Sequence, residues 1–526
     1  MKSWVGVLQD ESSFVVARLF FLALIFSAVS FLINGFNGLN IADEGFLWYG
    51  VQRTMEGEVP LRDFQSYDPG RYYWSAALAL IFGKGLVALR FSEAVFQLLG
   101  IWAGLLAAAR LCRTWMAQIA VGLALTVWMF PSHKLFDHTL LLVGLWLATR
   151  MLEKSTLKNV FIVGIYIGLC TFFGRNHALY QGLGSGALLF LLWIKQREEV
   201  PFSRFFILAG GMLVGVVPLL LMLVWVPGFS AGYWRSIEAI FVYGTNVALP
   251  IPWIWKAAYS PDFFLMLHKG ILALLFTLLP VSYLAGIGAC CCFTAQKIRA
   301  NPLFAASAFL GLFYTHHAFS RADYSHLAQS IHPLLLGAVA TVALLGGGYV
   351  ARFGTLLTLF LAGLFGVSRL SPVYGRITAK PPWVPYEVDG TIYISQRMKA
   401  LCDGLNQFVA RNVSPEEAVL FAPYMPAMYP LLNLHAPLWD TYFFNSPPLA
   451  RQKEMLATLV AKNVNWAVLS DTTIDQRADL RFSATHPLLW NTLISEFEPV
   501  IVPDIPSGYK ILRRKKVSVP HKAQTE

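Results

Sequence analysis

The chain has 526 residues, of which 56% are hydrophobic and only 13% charged, and its mean hydropathy is +0.54. Soluble globular domains carry about 25% charged residues, so this composition excludes an ordinary water-soluble enzyme. A net charge of +11 invites a nucleic-acid reading, but the cations are spread over short connections between apolar blocks, which argues against nucleic acid as a partner.

The apolar residues come in blocks almost free of charge, including 19–33, 119–130, 205–226, 270–293 and 354–367. A bilayer core takes about 20 apolar residues as a helix. Backbone polar groups in lipid must be satisfied within the segment, so such blocks are helices, and the short alternating strands of a membrane barrel are missing. Eleven spans are expected: 17–34, 92–109, 116–131, 138–152, 159–174, 178–194, 205–226, 266–293, 302–317, 327–349 and 354–370. The segment 72–82 is apolar but short and is followed by Lys84, which predicts a helix lying on the membrane surface. The first block has Lys2 and Arg18 before it but no good small-residue cleavage site, so it is read as an anchor.

Every second connection is basic: Arg110 and Arg113; Arg150, Lys154 and Lys158; Lys195, Arg197 and Arg204; Lys297 and Arg299; and Arg352. Short basic loops stay cytoplasmic. The connections 35–91, 132–137, 175–177, 227–265 and 318–326 are therefore expected outside. With an odd number of spans the tail is outside too, and its basic run Arg513, Arg514, Lys515 and Lys516 is tolerated because long folded domains translocate largely regardless of charge. The expected fold is an α-helical polytopic membrane protein with a membrane part at 1–370 and a small soluble α/β domain at 371–526. In that tail, strands are expected near 418–421, 466–469 and 509–512, and helices near 394–409 and 448–462. No catalytic constellation is visible in it. Six cysteines show no CxxC and no plausible pairing outside the membrane, so no disulfide framework is expected.

The chemistry gathers on the outer side. The first outer loop carries the adjacent acids Asp43 and Glu44, then Gly57-Glu58-Val59-Pro60-Leu61-Arg62-Asp63-Phe64, then Asp68-Pro69-Gly70-Arg71-Tyr72-Tyr73. Adjacent carboxylates can divide the work, one acting as base while the other orients; solvated acids on a capped interfacial helix are the alternative. Further outer polar groups are His133, Lys134, Asp137 and His138, then Arg175, and then Arg321, Asp323 and His326. Ionisable groups at span ends are costly unless they pair or face a cavity. For each cation, snorkelling to ordinary headgroups is the alternative to a specific role. Trp234, Tyr243, Trp253 and Trp255 suit either sugar stacking or an interfacial aromatic belt.

The acidic pair, the Gly-x-x-Pro-x-x-Asp-Phe element, the Pro-x-x-Tyr-Tyr stretch and the short apolar helix after it resemble the GT-C membrane glycosyltransferases. The resemblance is to the branch of the protein O-mannosyltransferases and lipid A aminoarabinose transferases, and it covers about the first 180 residues in order. It implies a GT-C-like fold and an inverting hexosyl- or pentosyltransferase, moving a sugar from a polyprenyl-phosphate donor to a hydroxyl of a lipid, glycan or protein. Asp43 matches the family's general base, with Glu44 beside it and Asp137 at the second acidic position. Lys134, Arg321, Arg175 and Arg71 are then the candidates for donor phosphate, and His138, His326, Asp323 and Tyr73 for substrate contact. No cofactor is firmly implied; a divalent metal held by His133, Asp137 and His138 stands beside simple hydrogen bonding. The implied location is the inner (plasma) membrane of a bacterium, with the site and the tail domain on the periplasmic side. A flippase for a lipid-linked saccharide and an O-antigen-type ligase or polymerase are the competing readings; a transporter would place ionisable groups near the bilayer midplane.

Overall fold

The computed structural model describes residues 13–244, 246–256, 260–503 and 505–515; Lys2 and Lys516 lie outside these. Each of the eleven expected spans coincides with helix. Six helices are long and apolar enough to cross a membrane: Ser13–Asn34, Leu86–Ala108, Ser132–Glu153 with its short 3-10 start, Arg175–Lys195, Phe263–Cys292 and Tyr349–Ser368. The pair Ser203–Gly215 and Val217–Trp225, bent by 48°, makes a seventh if its two helices count as one span. Trp115–Val127, Leu157–Phe173 and His332–Leu344 are shorter apolar helices, and Pro302–Ser320 packs among them. The protein is an integral membrane protein. The short segment near 72–82 is the helix Pro69–Phe82, whose Leu80, Ile81 and Phe82 are exposed. Its 14 residues are too few to span.

The basic connections meet at one end of the bundle. Arg352 donates to the Leu111 carbonyl, Arg110 pairs with Glu153, Arg299 bonds Gln196 and Lys195 reaches the Cys291 carbonyl. The first long loop, residues 318–326 and the tail domain are at the other end, joined through the contacts described below. Thr114, Thr156 and Thr294 cap the helices that follow the basic connections, each accepting from a backbone N–H of the first turn.

The tail forms a hairpin, β1 (Val384–Glu387) and β2 (Thr391–Ile394), and a four-stranded sheet. The sheet comprises β3 (Val419–Ala422), β4 (Trp466–Ser470), β5 (Phe497–Val500) and β6 (Tyr509–Arg514) in the order β3-β4-β6-β5. β3 and β4 are parallel, connected through the helix Leu449–Ala461. β6 runs antiparallel to both β4 and β5. β5 and the hairpin are absent from the sequence reading, because both are short and carry no clean alternation.

The domain is packed onto the first outer loop. Gly38 donates to the Tyr393 carbonyl and Tyr393 to that of Phe36, both at 2.8 Å, so the loop extends the hairpin. A Cβ on Gly45 would stand 2.5 Å from Ala427, closer than atoms pack, so only glycine allows this approach. One apolar cluster runs through both parts, joining Leu47, Trp48, Tyr49 and Phe64 of the loop to Phe421, Met428, Tyr429 and Trp466 of the domain. Shared burial of this kind makes loop and domain one packed body at this end of the helices.

Candidate active site

Asp43 and Glu44 open the helix Asp43–Met55. Asn40 sets the turn before it, its Oδ1 accepting from the backbone N–H of Ala42 and of Asp43. Acids in a first helical turn are favoured by the aligned peptide dipoles, so both carboxylates suit the position electrostatically. Their fates differ. Glu44 is buried and clamped by Arg90, whose Nε and Nη2 donate to its two oxygens at 2.6 and 2.8 Å. Arg90 is held in turn by the carbonyls of Gly35 and Gly38. Burial pushes the Glu44 carboxyl up, but Arg90 outweighs it and leaves the group below its ordinary range. Glu44 therefore holds the loop to the helix Leu86–Ala108, both its oxygens engaged by Arg90.

Asp43 points the other way, its side chain 43% exposed. The Tyr442 hydroxyl donates to its Oδ1 at 2.9 Å, and His133 Nε2 stands 3.9 Å from Oδ2. Burial raises its carboxyl, yet His133, Lys134, Tyr442 and His326 together hold it below the usual carboxylate range.

Around Asp43 stands an aromatic wall. Phe46 packs edge-on to Tyr67 and beside Tyr442, with ring centroids 5.1 and 5.8 Å apart. Tyr424 and Phe444 flank Tyr442 at 5.4 Å each. Lys134 lies across this wall, its ammonium donating to the Tyr67 hydroxyl at 2.6 Å and 4.2 Å from that ring's centroid. Among the described residues Lys134 has no carboxylate partner.

The other cations that are candidates for donor phosphate are paired. Arg71 makes a two-pronged pair with Asp137 at 3.1 and 2.6 Å and donates to the Phe173 carbonyl. Asp137 also receives His177 Nε2 at 2.7 Å, and the far side of that ring meets the Tyr314 hydroxyl. Both oxygens of Asp137 are thus used inside the helix bundle, where they tie Arg71 of Pro69–Phe82 to neighbouring helices. Arg175 is anchored to Asp68 through its Nε at 2.7 Å and its backbone N–H at 2.8 Å, and to Ser236. Arg321 bonds Asp323, the Val247 carbonyl and Asp475 of the tail domain. Asp323 caps the helix Tyr324–Ala328 and accepts from both the backbone and the ring of His326. Arg71, Arg175 and Arg321, the other candidates for donor phosphate, each have a carboxylate partner.

The metal candidates are not brought together. His138 turns to the Phe130 carbonyl and packs on His332, Asp137 faces Arg71, and His133 faces Asp43. Among the described residues no group of three or more His, Cys, Asp or Glu could hold a metal ion. Tyr73 stacks on Phe172, and Trp253 on Trp255 and edge-on to Phe319. Tyr442, Tyr67 and Asp475 escaped the sequence reading. Tyr67 lies within the first-loop motif region; the aromatic run Tyr442-Phe443-Phe444 in a domain with no other site signal was the available hint.

The fold is shared with a solved membrane protein. The chain is similar over 95% of its length, and 98% of the other, to ArnT of Cupriavidus metallidurans bound to undecaprenyl phosphate, with a TM-score of 0.52 and 13% identity. A looser likeness, with a TM-score of 0.44 and 12% identity, relates 97% of this chain to 76% of the archaeal oligosaccharyltransferase AglB of Archaeoglobus fulgidus, in complex with an inhibitory peptide and a dolichol-phosphate. No family model matches the sequence, and no curated protein matches it.

Proposed function

We propose that this protein transfers a sugar from a polyprenyl-phosphate donor to an acceptor hydroxyl, with Asp43 as the general base. One observation carries the reading. Glu44, Asp63, Asp68, Asp137 and Asp323 are each paired with an arginine, while Asp43 accepts the Tyr442 hydroxyl, has His133 beside it and makes no arginine pair. A base must have a lone pair within reach of the hydroxyl it deprotonates, and Asp43 is the acid of this group that has one.

The carboxylate of Asp43 takes the acceptor proton as the acceptor oxygen bonds to the anomeric carbon. The bond from that carbon to the phosphate oxygen breaks, and the polyprenyl phosphate leaves with the electron pair. Lys134, which makes no ion pair among the described residues, is the cation proposed to meet that charge, while the aromatic wall of Phe46, Tyr67 and Tyr442 supplies faces for a sugar. A single displacement inverts the anomeric centre; a second, nucleophilic carboxylate would be needed to retain it, and the adjacent Glu44 is held by Arg90. The donor is expected to be presented at the periplasmic face of a bacterial plasma membrane, where the alternation of basic loops puts Asp43. Purified protein given a radiolabelled polyprenyl-phosphate sugar and an acceptor extract tests the reading: Asp43→Asn should abolish label transfer, and transfer at the parent rate would overturn it.

A further inference from the structure

Beside the Asp43 site, a cleft of about 620 Å³ opens between the first outer loop, the helix Phe229–Tyr243 and the tail domain. The two sites share one strap. Residues 437–440 wall the cleft, and Tyr442, two residues on, bonds Asp43. The strap is pinned between them: Gln65 Oε1 accepts from the backbone N–H of both Thr441 and Tyr442, and Trp439 Nε1 donates to the Leu61 carbonyl.

Most charges lining the cleft are matched in place. Arg62 pairs with Asp63, Glu58 with Arg53 and Arg451 with Asp440. Two cations are left over. Arg235 on Phe229–Tyr243 and Lys462 at the end of Leu449–Ala461 are exposed; Arg235 adds its charge to that of Arg451 on Asp440, and neither side chain makes a hydrogen bond or ion pair of its own among the described residues. They approach the cleft from different elements, so an anion between them would be gripped from both sides. The volume is in the range of small-ligand sites and far exceeds a lone phosphate. Trp439 offers an aromatic face and Thr458 a hydroxyl within the same lining.

We propose that this cleft binds a phosphate-bearing saccharide, held through its phosphate by Arg235 and Lys462, and that this saccharide is the acceptor. The strap then carries the acceptor from its binding cleft to the base. The ligand's role as acceptor rests on glycosyl transfer at Asp43; its binding in the cleft does not.

The test uses the full-length protein in detergent and ligand-observed NMR with three probes: N-acetylglucosamine 1-phosphate, N-acetylglucosamine and inorganic phosphate. The sugar phosphate should bind at least about tenfold more tightly than either of the others, since charged hydrogen bonds and sugar contacts contribute together. Arg235→Gln with Lys462→Gln should weaken it about tenfold or more; both side chains are exposed, so the fold tolerates the change. Unchanged affinity in the double variant overturns the proposal, as does inorganic phosphate binding as tightly as the sugar phosphate. Asp43→Asn should leave sugar-phosphate binding intact. If Asp43→Asn retains transfer while the double variant loses binding, the base assignment falls and the cleft stands; the reverse pattern removes the cleft alone.

Discussion

The Tyr442 hydroxyl donates a 2.9 Å hydrogen bond to Asp43 across 399 positions of sequence. It ties a loop at the start of the membrane part to a domain at the far end of the chain. The tail therefore supplies a hydrogen-bond donor to the carboxylate proposed as base.

Tyr442→Phe removes a donor that favours the ionised form of Asp43. The carboxyl should rise, so fewer molecules hold the base form in mild acid. The acid limb of the kcat/KM profile is expected to move to higher pH, with the limb of the parent lying below the ordinary aspartate value of about 3.9. A parallel melting curve for the variant separates this effect from unfolding; an unmoved acid limb would argue against coupling.

Asp43→Asn should lower kcat by about 10²–10⁴-fold, the range that general-base catalysis contributes. The melting temperature should stay close to that of the parent, since Asp43 is half-exposed and makes no arginine pair.

Glu44→Gln should show the opposite balance. It leaves Arg90 buried without its counter-charge, which costs about 3–5 kcal/mol. The check is a lowered melting temperature in detergent, with any loss of rate following the fraction folded.

Lys134→Gln should raise the KM for the polyprenyl-phosphate donor about tenfold, the weight of one charge-assisted contact, while Arg175→Gln should chiefly destabilise through Asp68. Donor titrations of both variants decide between them. Equal donor KM values for Lys134→Gln and the parent would move the phosphate elsewhere.

Transfer is expected to survive exhaustive treatment with a chelator. The basis is geometric: Asp137 faces Arg71 and His177, and His138 turns to a backbone carbonyl. Activity lost to the chelator and restored by a divalent cation would refute this.

Sequence alone determined the membrane class, the positions of the eleven apolar segments, the side on which the polar residues gather and the main strands of the tail. These follow from composition and local periodicity, which every residue carries with it: an apolar run of about 20 residues has few places to go but a bilayer. Asp43 and Glu44 looked interchangeable at that level, as did Lys134, Arg71, Arg175 and Arg321. Only the tertiary structure separated them. Whether a charge is free depends on which opposite charge is folded against it, and those partners come from distant segments: Arg90 for Glu44, Asp137 for Arg71, Asp475 for Arg321. Tyr442 belongs to the same class of fact. Its hydroxyl acquires meaning from Asp43 because the Gly45–Ala427 contact and the shared apolar cluster bring the tail domain down onto the first outer loop.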